Sequence, residues 1–272
     1  METLLTHPAV QGGIAPLVVG LVIAALLGRV RLGGLAVAAG FCVAVALISG
    51  LTFTPLSATR KIVLLALIAP LAGMLIDFAS KSGRSVAIAI AAACGALSVW
   101  VFWSVLQQKS VATAFALGGG TAVFIAWLVA ATIDLSDQSV RAGATALALG
   151  LGVGITAILG ASALLGLYGI AIGAGAGAFL LRQMATGRTI VAGATLTLAA
   201  SVTAGLLAVG AYILAEVPWY ALIALALIPL AVRLPVSDKL PLWAQAFIAG
   251  IYGIAPAFVA FVLTWRAAPT PA

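Results

Sequence analysis

Residues 142–181 read AGATALALGLGVGITAILGASALLGLYGIAIGAGAGAFLL, forty positions without one Asp, Glu, Lys or Arg. No water-facing surface is built from such a run, and a spanning helix needs about 20 apolar residues for a hydrocarbon core of about 30 Å. Forty residues are too many for one such helix and just enough for two. The best break is Gly160-Ala161-Ser162, where small residues interrupt the aliphatic pattern. The apolar runs are continuous and do not alternate, which selects helices over a closed barrel. Those two are the only structures that satisfy all backbone polar groups inside lipid.

The rest of the chain repeats this character. Of 272 residues, 64% are hydrophobic and 7% charged, against about 25% charged in soluble domains. Mean hydropathy is +1.29. These values exclude a soluble enzyme, a secreted domain and a nucleic-acid binder. The pI of about 10.0 comes from a few basic residues in short loops and not from a basic face. The chain reads as an all-α polytopic bundle of about ten spans, eight or nine being the alternatives. It forms a single integral membrane domain over 1–272 with no soluble domain. The spans fall near 10–28, 33–53, 62–80, 85–106, 110–133, 142–161, 163–181, 189–214, 219–233 and 241–265. The ninth is short and holds Pro229, so it is expected to be tilted, broken or re-entrant. The leading segment, Met1 to Gln11, lacks a basic region ahead of the first apolar run. Arg29 and Arg31 follow that run, as in an anchor that is retained.

Lys and Arg in the loops set orientation. With the N-terminus outside, Arg29, Arg31, Lys81, Arg84, Arg141, Arg182, Arg188, Arg233 and Lys239 lie inside, against Arg60, Lys61, Lys109 and Arg266 outside. The pair Arg60-Lys61 is the awkward feature, because a positive charge at a helix start opposes the helix dipole. Trp100, Trp103, Trp219, Tyr220, Trp243 and Trp265 sit near span ends, where an aromatic belt forms. Trp127 and Tyr252 lie deeper, with an internal cavity as one reading of their surroundings. Short loops and the Lys/Arg bias point to a multi-pass protein of a prokaryotic cytoplasmic membrane.

The chemical inventory argues against enzymes. One histidine, His7, leaves no imidazole pair for a haem and no di-metal site in the bundle. Ser162 has no intramembrane general base, so it reads as a turn residue. Asp134 and Asp137 form one acidic pair where diphosphate chemistry uses two clusters. The simpler expectation is a loop in which Asp137 or Ser136 caps the next helix. Cys42 and Cys94 read as small apolar fillers. No catalytic residue, metal ligand or cofactor is assigned.

Three features remain. Small residues recur at i+4 in four ladders: Ala114, Gly118, Ala122, Ala126 and Ala130; Ala142, Ala146, Gly150 and Gly154; Gly169, Gly173 and Gly177; Gly193, Thr197, Ser201 and Gly205. Such faces let helices approach closely. Thr197 and Ser201, with Thr195 and Thr203 nearby, make the eighth span the most polar. Pro16, Pro70, Pro229 and Pro256 free carbonyls inside spans, as in the broken helices of transporters. Asp77 is the one carboxylate placed inside a span, two turns after Pro70, which makes it a candidate coupling site. A surface pair with Lys81 at i+4 is the alternative.

The expected function is a small transporter or channel-like protein for a small neutral or lipid-like substrate. Its substrate-binding or coupling residues would be Asp77, Pro70, Thr197 and Ser201. Gly169, Gly173, Gly177, Gly193 and Gly205 would pack the helices. The alternative is a non-catalytic subunit or assembly factor of a larger membrane complex. A third reading, an enzyme on a lipid-linked substrate, rests on Asp134 and Asp137 alone. The expected partners are the lipid bilayer and either a second copy or other membrane-complex proteins, with no nucleic acid.

Overall fold

The computed structural model describes residues 7–28, 32–79 and 84–268. Among these residues helices are the only regular secondary structure, with no strand. Ten helical segments follow one another: α1 Val10–Leu27, α2 Leu35–Ile48, α3 Ala58–Ala79, α4 Arg84–Leu106, α5 Val111–Ile133, α6 Ser139–Leu159, α7 Ala163–Thr186, α8 Gly193–Leu214, α9 Trp219–Ala226 with a one-turn continuation Ile228–Ala231, and α10 Leu242–Ala267. Eight of them are long and apolar enough to cross a membrane. The chain is a polytopic helical membrane bundle.

The two exceptions are α2 and α9. At 1.5 Å per residue, 14 residues reach about 21 Å and 13 about 20 Å, short of a hydrocarbon core. The expected span 33–53 therefore shrinks to Leu35–Ile48, because Ser49-Gly50 ends it with Gly50 at φ +69°. The expected span 219–233 is broken at Leu227. Pro229 has no N–H to give to Leu225, and Leu230 N–H turns to Leu227 O at 3.1 Å. Other ends shift by a few residues. Helix α6 starts at Ser139 and includes Arg141. Helix α7 runs on to Thr186 and includes Arg182, whose long stem lets the charge reach the interface. The break inside the uncharged stretch falls at 160–162, with Ala161 at φ +65°.

Successive segments run between two ends of the bundle. At one end Asp77 meets Ala194, Ser136 O accepts from Gly193 N–H, and Arg233 pairs with Asp134. At the other, Ser49 meets Tyr168, Glu216 N–H donates to Gly160 O, and Lys61 donates to Trp100 O. Short helices α2 and α9 still join the two ends. Gly34 packs on Ala192 while Ser49 reaches Tyr168, and Val217 packs on Gly160 while Arg233 reaches Asp134.

Helix α8 lies at the centre and is buried almost end to end, with α3, α5 and α6 around it. The tightest seam joins α6 to α7. A β-carbon on Gly150 would lie 2.7 Å from Gly173 Cα, and one on Gly169 would lie 2.6 Å from Gly154 Cα. The second and third ladders of the sequence thus face each other, backbone to backbone. Gly177, further along α7, has only ordinary contact with Leu147. Gly205 of α8 packs on Ile125 and Leu128 of α5.

The pair Arg60-Lys61 does sit in the first turn of α3, and both charges turn away from it. Arg60 donates to Pro55 O at 2.7 Å and to Thr52 Oγ1 at 3.4 Å. Lys61 donates to Trp100 O at 3.3 Å and lies 4.8 Å over the Trp100 ring. Carbonyls and a π face offset the unfavourable dipole.

Candidate functional site at the start of α8

The first turn of a helix leaves backbone N–H groups without intrahelical partners, and in lipid none can be left bare. At α8 every one of them is taken by a different part of the chain. Ala192 N–H goes to Ser139 Oγ at 3.3 Å, and Gly193 N–H to Ser136 O at 3.2 Å. Ala194 N–H goes to Asp77 Oδ1 at 2.7 Å, and Thr195 N–H to Asp77 Oδ2 at 2.9 Å. Thr195 Oγ1 adds a third bond to Asp77 Oδ2 at 2.6 Å. Asp77 is thus the cap of α8, supplied by the end of α3. Its negative charge sits at the positive end of the α8 dipole.

Local geometry requires glycine beside it. Gly193 has φ +64°, and a β-carbon there would overlap the Asp77 carboxylate. Gly73, one turn before Asp77, packs where a β-carbon would lie 2.6 Å from Ala194 O and Thr195 Cα. Gly34, just ahead of α2, packs in the same way on Ala192 and Leu196. The start of α8 therefore joins α2, α3 and α6 at one point. Lys81, the alternative partner considered for Asp77, lies outside the described residues.

Behind this joint α8 carries hydroxyls into the bundle on two sides, Thr197 and Ser201 on one and Thr195 and Thr203 on the other. Thr195, Thr197, Ser201 and Thr203 are all buried. Thr197 donates to Gly193 O at 3.2 Å and Ser201 to Thr197 O at 2.6 Å, the back-bonding that lets hydroxyls enter a membrane helix. Pro70 is buried on α3, the neighbour that packs along α8. Asp77 and Pro70 thus lie on α3, and Thr197 and Ser201 on the side of α8 away from Thr195, where Asp77 binds. Two further buried polar atoms, Thr145 Oγ1 on α6 and Gln183 Nε2 on α7, have no hydrogen-bond partner. Neither residue stands out in the sequence, where one Thr or Gln in an apolar run carries no signal of its own.

Two clefts open beside the joint. One, about 450 Å³, is lined by Asp137, Ser139, Arg141, Thr189, Asp238 and Gln245, among others, so it presents both charge signs. Arg141 also donates to Gln138 Oε1 at 2.9 Å and to Leu234 O at 3.4 Å. The other, about 360 Å³, lies between the end of α1 and the α7–α8 turn.

The acidic pair separates in the structure. Asp134 binds Arg233 at 3.3 Å, and the same guanidinium donates to Ala131 O at 2.8 Å. Asp137 faces the larger cleft. Neither Asp137 nor Ser136 caps α6: Gln138 holds that position without a side-chain bond. Trp127 is accounted for by the break in α9. Its indole N–H donates at 3.0 Å to Ala226 O, the carbonyl that Leu230 N–H leaves when it turns to Leu227. Tyr252 is half-buried on α10.

No protein-family model matches the chain, and no curated protein sequence matches it.

Proposed function

We propose that this protein is a small membrane transporter whose path follows α8, for a small substrate without net charge or a lipid-like one. The observation that carries the reading is the joint at the start of α8. A central helix bearing a buried hydroxyl stripe is closed at one end by a carboxylate that belongs to another helix. A bond set of this kind is a natural gate, because one side chain of α3 takes three donors at the start of α8 and its loss frees them together. Asp77 is the coupling group in this reading, Pro70 the point where α3 bends, and Thr197 and Ser201 the wall of the path. The mixed-charge cleft favours a zwitterion, with Asp137 and Asp238 facing its cation and Arg141 its anion. By the Lys/Arg bias, the Asp77 end faces the cytoplasm in a prokaryotic cytoplasmic membrane.

Cysteine accessibility tests this. In a background with Cys42→Ala and Cys94→Ala, Thr197→Cys and Ser201→Cys are treated in native membranes with a small membrane-impermeant thiol reagent. Labelling is expected at both positions, and faster when Asp77→Asn is added. Two cysteines that stay unlabelled with either residue at 77 would end the reading.

The alternative, a non-catalytic subunit or assembly factor, is favoured by one observation. Gly119 and Gly120 of α5 have nothing within 4 Å of a would-be β-carbon, beside an apolar groove lined by Trp103, Val111 and Phe115. A stoichiometric protein co-purifying from native membranes and lost on Gly119→Leu would establish it. Both readings are non-enzymatic.

A further inference from the structure

The smaller cleft beside the joint has a chemistry that the transport reading does not use. Its walls are Ala24, Ala25 and Gly28 at the end of α1, Arg182 from the last two turns of α7, and Arg188 and Thr189 from the α7–α8 turn. Among the described residues, neither arginine forms an ion pair. The one ion pair found there joins Arg233 to Asp134. Among the described residues no carboxylate lines the cleft. Next to Arg182 in the chain, Gln183 is wholly buried. Its Oε1 accepts from the N–H of Ile190, another lining residue, at 3.3 Å, and its Nε2 is left a donor without an acceptor. The lining itself, of which Gln183 is not part, is positively charged through Arg182 and Arg188.

Two properties narrow the ligand. Two guanidiniums outweigh the roughly half negative charge at the end of α7, so the site selects an anion. Guanidinium forks match phosphate oxygens best. The wall on the α1 side is apolar, and below the exposed Ala25, on the same face of α1, Val22, Val18 and Ile14 form an exposed aliphatic row. A chain lying on that row would enter the bilayer with its head at the arginines. We propose that this cleft binds the phosphate ester of an anionic phospholipid, with Arg182 and Arg188 on the phosphate and the aliphatic row of α1 under one acyl chain. This site is independent of any path along α8.

Native mass spectrometry of the delipidated full-length protein in detergent tests the assignment. The probes are phosphatidylglycerol, phosphatidylcholine and inorganic phosphate. One phosphatidylglycerol is expected to bind at concentrations where phosphatidylcholine does not, and inorganic phosphate at the same concentration is not expected to displace it. Affinity should fall about tenfold for each arginine replaced by Gln, since each removes a charge-assisted contact. Ala25→Phe fills the exposed wall and keeps both charges, so it should weaken the lipid adduct without unfolding the protein. Lys109→Gln, at the opposite end of the bundle, should change nothing. Equal binding of the two lipids, or unchanged phosphatidylglycerol binding in Arg182→Gln/Arg188→Gln and in Ala25→Phe, would overturn the proposal. So would inorganic phosphate binding at the arginines with no lipid adduct, which would make the cleft a site for free anions.

Discussion

Glycines crowd α5 as Gly118, Gly119 and Gly120, and α7 as Gly166, Gly169 and Gly173. On α7 they meet Gly150 and Gly154 of α6 and the backbones touch. On α5 only Gly118 faces a helix, with side-chain carbons of Leu106 and Val99 3.4 and 3.9 Å from a would-be β-carbon, while Gly119 and Gly120 face open space. The same residue type therefore does different work. In the α6–α7 seam, glycine removes volume so that two helices gain dispersion contact and Cα–H···O bonds along their length. On the outer face of α5 it gains no contact and costs helix propensity. Periodicity in one helix is half of an interface, and the other half decides its meaning.

The comparison breaks first at the seam. Gly150→Leu puts a side chain where Gly173 backbone already lies, and it is expected to cost at least about 3 kcal/mol or to prevent folding. Equilibrium unfolding in mixed micelles would measure it, and Gly169→Leu should behave alike. Near-wild-type stability for both would mean that the seam is looser than the distances require.

The next effect is expected at the other kind of junction, where polar bonds add to the close approach of α3 and α8 at Gly73. Asp77→Ala leaves the N–H groups of Ala194 and Thr195 without acceptors, a loss of about 2–3 kcal/mol. Asp77→Asn keeps one acceptor and should fall between. Hydrogen exchange at Ala194 and Thr195 should rise in both variants while amides in the α6–α7 seam stay protected. Unchanged exchange would separate Asp77 from the capping role.

Smaller still is the tie between α5 and the broken α9. Trp127→Phe keeps the ring and removes the donor to Ala226 O, for about 1 kcal/mol. Indole fluorescence and unfolding together would read it. Last comes the outer face of α5, where the sign turns. Gly119→Ala and Gly120→Ala should each stabilise the isolated protein by about 0.5–1 kcal/mol, because nothing is displaced and helix propensity improves. A loss of that size or more would mean that this face is covered by a partner or a second copy.

Much of this was legible in the residues. The forty uncharged positions demand two helices, and Gly160-Ala161-Ser162 separates them because small residues tolerate the turn and Ala161 takes a positive φ there. Pro229 inside a run too short to span signals a broken helix, since its missing N–H leaves a carbonyl free one turn back. Asp77 stands out because carboxylates are rare in spans. Its partner was not legible: the two backbone N–H groups and the Thr195 hydroxyl lie more than a hundred residues away, and backbone donors carry no mark in a sequence. Gly193 reads as a packing residue in its ladder, whereas its position against a carboxylate and its φ of +64° are tertiary facts.

Composition alone determined the solvent, because hydrocarbon admits only chains that hide their backbone polar groups, and helices of about 20 residues do so locally. Local residues likewise determined roughly where those helices start and break. The structure alone decided which faces meet, which helix is central and which carboxylate closes it. Between helices in lipid the apolar side chains hardly discriminate one neighbour from another. The choice falls to shape and to a few polar groups, and both depend on residues far apart in the chain.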